Sequence, residues 1–152
     1  MAVIATVTAG AVQAGHTAGR RSAEAALLVA GEDFHAALVS WRRGAPGASV
    51  GPAELAELVR DPRVPGVQRH LRQIPYDPLT GRAEWGLLRD NAGRIVAVHS
   101  LAPGQPIKRR GFAPTQAGFE DASSYAQWQF GFRLPARPPG PASPAMPSPE
   151  AR

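Results

Sequence analysis

The stretch that decides the fold is Glu84-Trp85-Gly86-Leu87-Leu88-Arg89-Asp90-Asn91-Ala92-Gly93-Arg94-Ile95-Val96-Ala97-Val98-His99-Ser100. Two runs of strand-compatible residues flank Asp90-Asn91-Ala92-Gly93, whose small and polar side chains favour a tight turn. Residues 84–89 and 94–100 are therefore expected to pair as antiparallel strands. A third strand is expected over 125–133, where Tyr125, Gln127 and Gln129 alternate with Ala126, Trp128, Phe130 and Phe132. Successive strand residues point to opposite sides, so this alternation would give the strand one apolar face. A three-stranded sheet cannot bury such a face alone and needs a covering element.

Upstream, the period changes from two to nearly four. Leu27, Gly31, Phe34, Leu38 and Trp41 recur four and three residues apart, which puts them on one side of a helix over 22–43. Glu24, Glu32, Asp33, Arg42 and Arg43 mostly fall elsewhere. Gly44-Ala45-Pro46-Gly47 then stops the helix. The Leu27 to Trp41 face is the obvious cover for the sheet. A short second helix is expected after Pro52, carrying Leu55, Leu58 and Val59, with Asp61-Pro62 ending it.

No charged residue precedes Arg20. As a helix, Met1 to Gly19 would rise about 28 Å, close to the hydrocarbon thickness of a bilayer. Ala, Thr and Gly dominate the segment, and Gln13 and His16 lie inside it. A signal peptide with a small-residue cleavage site at Val12-Gln13-Ala14 is the rival, although the basic start of such signals is missing. Only Gly10, Gly15 and Gly19 separate this start from the amphipathic stretch, so one long helix can run through both. At the other end, 135–152 is proline-rich and is expected to be a disordered tail. The expected plan is α+β: N-terminal helix over 1–43, globular head over 44–134, tail over 135–152.

The 152-residue chain has room for one domain with a modest core. The absence of cysteine excludes disulfides, thiolate nucleophiles and cysteine-held metals. A formal charge of +5 permits contact with nucleic acid or anionic lipid. Yet the cations come as short pairs, Arg20-Arg21, Arg42-Arg43 and Arg109-Arg110, beside the single lysine, Lys108. Dispersed cations of this kind read as solvated surface.

Catalytic patterns are absent. His16, His35, His70 and His99 lie in four different segments without metal-ligand spacing. No Gly-x-Ser-x-Gly elbow, P-loop or dinucleotide fingerprint occurs. Asp77-Pro78 with Gly81 signals a turn. Glu84 suits a surface or a neighbouring subunit. Glu120-Asp121 supplies too few oxygens for calcium, which needs six or more. Trp85 and Trp128 are expected to pack in the core against the helix. The reading is a non-enzymatic chain with no cofactor and no metal.

Taken in order, these elements resemble a known family. His70-Leu71-Arg72-Gln73-Ile74-Pro75-Tyr76-Asp77-Pro78-Leu79-Thr80-Gly81 followed by Glu84-Trp85-Gly86-Leu87 is similar to the start of the globular head in pseudopilins of type II secretion systems. The likeness continues through Gly93 to Ser100, through Pro106-Ile107-Lys108, and ends at Ser124-Tyr125-Ala126-Gln127-Trp128-Gln129-Phe130. On this resemblance Pro75, Asp77, Pro78, Gly81, Trp85 and Trp128 are the family-motif positions. Leu27, Phe34, Leu38 and Trp41 form the helix packing face.

The resemblance implies a pilin-like fold and a structural subunit of a short filament that moves folded proteins outward. Its partners would be other pseudopilin or pilin subunits and inner-membrane components of the secretion system. The subunit would sit in the bacterial inner membrane by its N-terminal helix, with its head in the periplasm. One departure stands out. Met1-Ala2-Val3-Ile4 is similar to the middle of the family's first helix, so the cleavage glycine, phenylalanine and glutamate of the prepilin motif are expected upstream of Met1, the alternative being a member that has lost the processing signal. Nor do the residues here reproduce the calcium ligands of the family's major subunit. Two other classes remain open: a DNA-binding minor pilin-like subunit of an uptake pilus, using Arg109 and Arg110, and a secreted interaction domain outside any filament.

Overall fold

The fold was obtained as a computed structural model, which describes residues 5–44 and 51–132, with side chains from residue 16 onward. The expected tail at 135–152 and most of the Gly44 to Gly47 stop lie outside the described residues. Helix α1 spans Ala5–Gly44, 40 residues without a break. The uncharged start and the amphipathic stretch are thus one element, and among the described residues no helix is long and apolar enough to cross a membrane. The short helix α2 is Ala56–Val59, shorter than the Pro52 start suggested.

The sheet is antiparallel in the order β1-β2-β3, with β1 at Gly86–Arg89, β2 at Ile95–His99 and β3 at Phe130–Gly131. Leu87 lies opposite Val98 and Leu88 opposite Ala97, with an irregularity between Leu88 and Arg89. Asp90 builds the turn between β1 and β2. Its Oδ1 accepts the N–H groups of Ala92 and Arg94, both at 2.9 Å, and Gly93 turns back at φ +75°. This is the aspartate-led turn with a left-handed glycine that the sequence signals.

β2 is central and covered on both sides: Ile95, Val96, Ala97 and Val98 are all buried. A strand enclosed in this way reads as a continuous apolar run rather than an alternation. Helix α1 buries Leu27, Ala30, Phe34, Leu38 and Trp41 in the core that it shares with the sheet. Gly31 allows the closest approach. A Cβ there would collide with the Phe130 ring, so the aromatic side chain of β3 comes right up to the helix backbone.

The expected strand over 125–133 is not continuous. Tyr125–Gln127 is a 3₁₀ turn, and only Phe130–Gly131 pairs with β2. The physical reason is a spacing of three. Tyr125 and Trp128 are both buried, at 1% and 0% exposure, whereas strand alternation would have put them on opposite sides. A 3₁₀ turn brings residues i and i+3 onto one side. The loop before it contains a second 3₁₀ segment, Pro114–Phe119. Phe119 stacks on Trp128 at 5.8 Å and meets Phe130 edge-on at 5.0 Å.

Candidate functional site

Three side-chain clusters fix the head to α1, and they contain most of the family-motif residues. The first is the turn that follows Pro75. The Asp77 carbonyl accepts the Gly81 N–H at 2.7 Å, and Gly81 adopts φ +71°, so a glycine is needed there. The Asp77 side chain is fully buried and accepts the Leu79 N–H at 2.9 Å and the Ser100 hydroxyl at 2.6 Å. Burying a carboxyl group without such partners would be costly. Pro78, between Asp77 and Leu79, is half-buried. Trp85 Nε1 donates to the Pro75 carbonyl at 2.9 Å, and its ring meets Phe34 edge-on at 4.9 Å. Pro75, Asp77, Gly81 and Trp85 therefore form one unit, docked on α1 through Phe34. Trp128 stands apart, its Nε1 donating to the Phe119 carbonyl at 3.3 Å.

The second cluster surrounds Glu24, a residue the sequence reading mostly left off the packing face. It is buried, at 2% exposure. Its oxygens accept the Ile107 N–H at 2.6 Å, the Lys108 N–H at 2.9 Å and the Tyr125 hydroxyl at 2.6 Å. Burial and the neighbouring Glu24 carboxylate push the Tyr125 phenol up to about 12. Arg20 adds bonds to the Tyr125 hydroxyl at 3.2 Å and the Gln105 carbonyl at 3.0 Å. One signal was available: Glu24 stands three residues before Leu27, on the backward extension of the apolar face.

The third cluster closes the C-terminal end of α1. Arg63 lies over the Trp41 ring at 3.5 Å, and its Nη2 donates to the Trp41 carbonyl at 2.9 Å. A cation on the last carbonyls of a helix offsets its dipole. Asp61 holds Arg63 through both oxygens, at 2.9 and 2.6 Å. Hydrogen bonds from Arg63 keep the Asp61 carboxyl well below the usual carboxylate range, against the opposing effect of burial. His70 continues the chain, with Nε2 at 3.1 Å from Asp61 Oδ2 and Nδ1 at 2.8 Å from Ser40 Oγ. In the sequence, Asp61-Pro62 signals a helix stop and His70 only opens the stretch that carries the resemblance.

Ser40, His70 and Asp61 have the residue types of a nucleophile, a base and its orienting acid. The geometry suits a clamp better. Arg63 already engages both Asp61 oxygens, and Ser40 lies within α1, where its N–H is spent on the helix ladder.

Glu84 is exposed and 3.9 Å from Arg82, a surface pair of little energetic weight. His99 bonds the Ser100 carbonyl at 3.0 Å, and His35 lies 3.1 Å from the Gly131 carbonyl. Among the described residues no group of three or more His, Asp or Glu side chains is arranged to hold a metal ion.

What remains uncovered is a face of α1 turned away from the head. Ser22, Ala26, Val29 and Ala36 are exposed and recur at helical spacing, with Asp33 the one charge among them. Val29 is 65% exposed. Small side chains permit close approach of a second helix, whereas a solvent-facing helix surface ordinarily carries charge. Set against known family models, curated proteins and solved structures, the chain matches none.

Proposed function

We propose that this chain is a pilin-like structural subunit that assembles side by side with other subunits through α1, in a type II secretion pseudopilus or a related filament contributing to protein export. The observation that carries this reading is the small-residue face of α1 running from Ser22 to Ala36 beside a head fastened to the other side of the same helix. A long helix clad on one side only buries the rest of its surface by joining others. Repeating one such contact head to tail gives an open helical array. Helices would then lie inside and heads outside.

The three clusters support the reading by what they do mechanically. They lock the head at the Glu24, Phe34 and Trp41 levels of α1, so that head and helix would move as one body during assembly. The order of the motif from Leu71 to Trp85 and the helix-then-meander layout point the same way. On this reading the head faces the periplasm, the start of α1 meets the inner membrane, and the remaining partners are inner-membrane components of the secretion machine.

The absence of native cysteine makes the test clean. Cysteines introduced at Val29 and Ala36 should form disulfides between copies when the chain is assembled, whereas a cysteine at exposed Asn91, at the far turn of the head, should not. Equal yields at all three positions would sink the proposal.

A further inference from the structure

The fold brings four of the cations that the sequence scatters to one groove. Arg21, Ala25 and Leu28 of α1 face Lys108, Arg109 and Arg110 across a half-open space of about 400 Å³. The one acid on its wall, Glu24, is already spent. It lies buried beneath the loop and takes the N–H groups of Ile107 and Lys108 and the Tyr125 hydroxyl. Those same bonds hold the three consecutive cations over the helix.

Among the described residues the ion pairs are Arg63 with Asp61, His70 with Asp61, and Arg82 with Glu84. None involves a groove cation. Arg109 reaches the Gln105 side chain at 3.3 Å, and Lys108 Nζ stands 5.1 Å over the Phe112 ring. Behind the loop, the Asp121 N–H donates to the Arg109 carbonyl at 3.1 Å. Four cations, Arg21, Lys108, Arg109 and Arg110, against the one carboxylate of Glu24 leave the lining positive.

We infer that this groove binds the phosphate headgroup of an anionic phospholipid, with the cations of both walls on the phosphate. Position favours this ligand. Arg20 and Arg21 are the first charges after the uncharged start of α1, the level at which basic side chains meet headgroups. A nucleic acid fits less well, because the four cations sit together at one groove rather than extending into a stripe. The inference rests on the proposed function only in bringing the head to a membrane.

The experiment is vesicle flotation of the full chain, with phosphatidylcholine vesicles against vesicles containing phosphatidylglycerol, at low and high salt. The variant is Lys108→Gln, Arg109→Gln and Arg110→Gln together. It keeps the backbone N–H groups that Glu24 needs, and far-UV circular dichroism checks its fold; Arg21→Gln alone, on the helix, is the second variant. The expected result is a salt-sensitive preference for phosphatidylglycerol, lowered about fivefold by Arg21→Gln and on the order of 100-fold by the triple variant. Equal binding to both vesicles, or a preference that survives the triple variant, would overturn the inference. So would full competition by millimolar inorganic phosphate, which would mark a free-phosphate site, or tighter binding to duplex DNA than to phosphatidylglycerol. Subunit cross-linking at Val29 reads the assembly proposal separately, so each can fail without the other.

Discussion

The Tyr125 hydroxyl donates a 2.6 Å hydrogen bond to Glu24, 101 residues earlier in the chain, and thereby ties the end of the head to the middle of α1. The same carboxylate holds two backbone amides of the 107–108 loop. A buried charge with three donors stabilises a structure, whereas the same site with its acceptor removed leaves those donors stranded. Replacing Glu24 by Ala should therefore cost about 3 kcal/mol or more, read by urea denaturation. Tyr125→Phe removes one charge-assisted bond and should cost roughly 1.5–3 kcal/mol.

Tyr125 also sets an alkaline limit. Its folded pKa is raised above its ordinary value of 10.0, so the folded protein holds that proton more tightly than the unfolded chain. The stabilisation is fully present below about pH 10 and is lost as pH rises toward 12. Stability measured between those values should fall more steeply in the parent chain than in Tyr125→Phe.

Asp61 sets the acid limit with the opposite sign. Arg63 depresses its folded pKa, so the contribution is present above the ordinary carboxylate value of about 4 and is lost as pH falls below it. Asp61→Asn should flatten the acid limb of the stability profile. It should also loosen Arg63 from the Trp41 carbonyl, visible as faster hydrogen exchange in the last turn of α1.

Gly31 gives a prediction in which the sign decides. At an ordinary helix position Gly→Ala stabilises by about 1 kcal/mol. Here the new Cβ would collide with the Phe130 ring, so Gly31→Ala should destabilise by about 1–3 kcal/mol. In a Phe130→Leu background the penalty should shrink, because the smaller side chain can yield. A stabilising Gly31→Ala would contradict the close approach of α1 and β3.

Period and turn chemistry made the helix face and the β1–β2 pair legible in the sequence. Leu27, Phe34, Leu38 and Trp41 share one side of α1, and Asp90 with Gly93 makes the turn. The third strand was misjudged because an aromatic every second or third residue fits both a strand and a 3₁₀ turn. Tyr125 and Trp128 took the latter. The clamps were harder to see. Glu24 bonds backbone amides more than 80 residues away, and backbone amides leave no mark in a sequence. Arg63 and His70 meet at Asp61 only once the chain has doubled back beneath Trp41. The exposed small residues of α1 were legible as residues, but which of them face away from the head follows only from the fold.

The most direct test of the assembly role is disulfide formation in a chain carrying Val29→Cys and Ala36→Cys together, oxidised in the assembled state and separated under non-reducing conditions. The account predicts a ladder of multimers that collapses to monomer on reduction, with none from Asn91→Cys. A monomer band from the Val29 and Ala36 variant, under conditions where full-length assemblies are present, would contradict it.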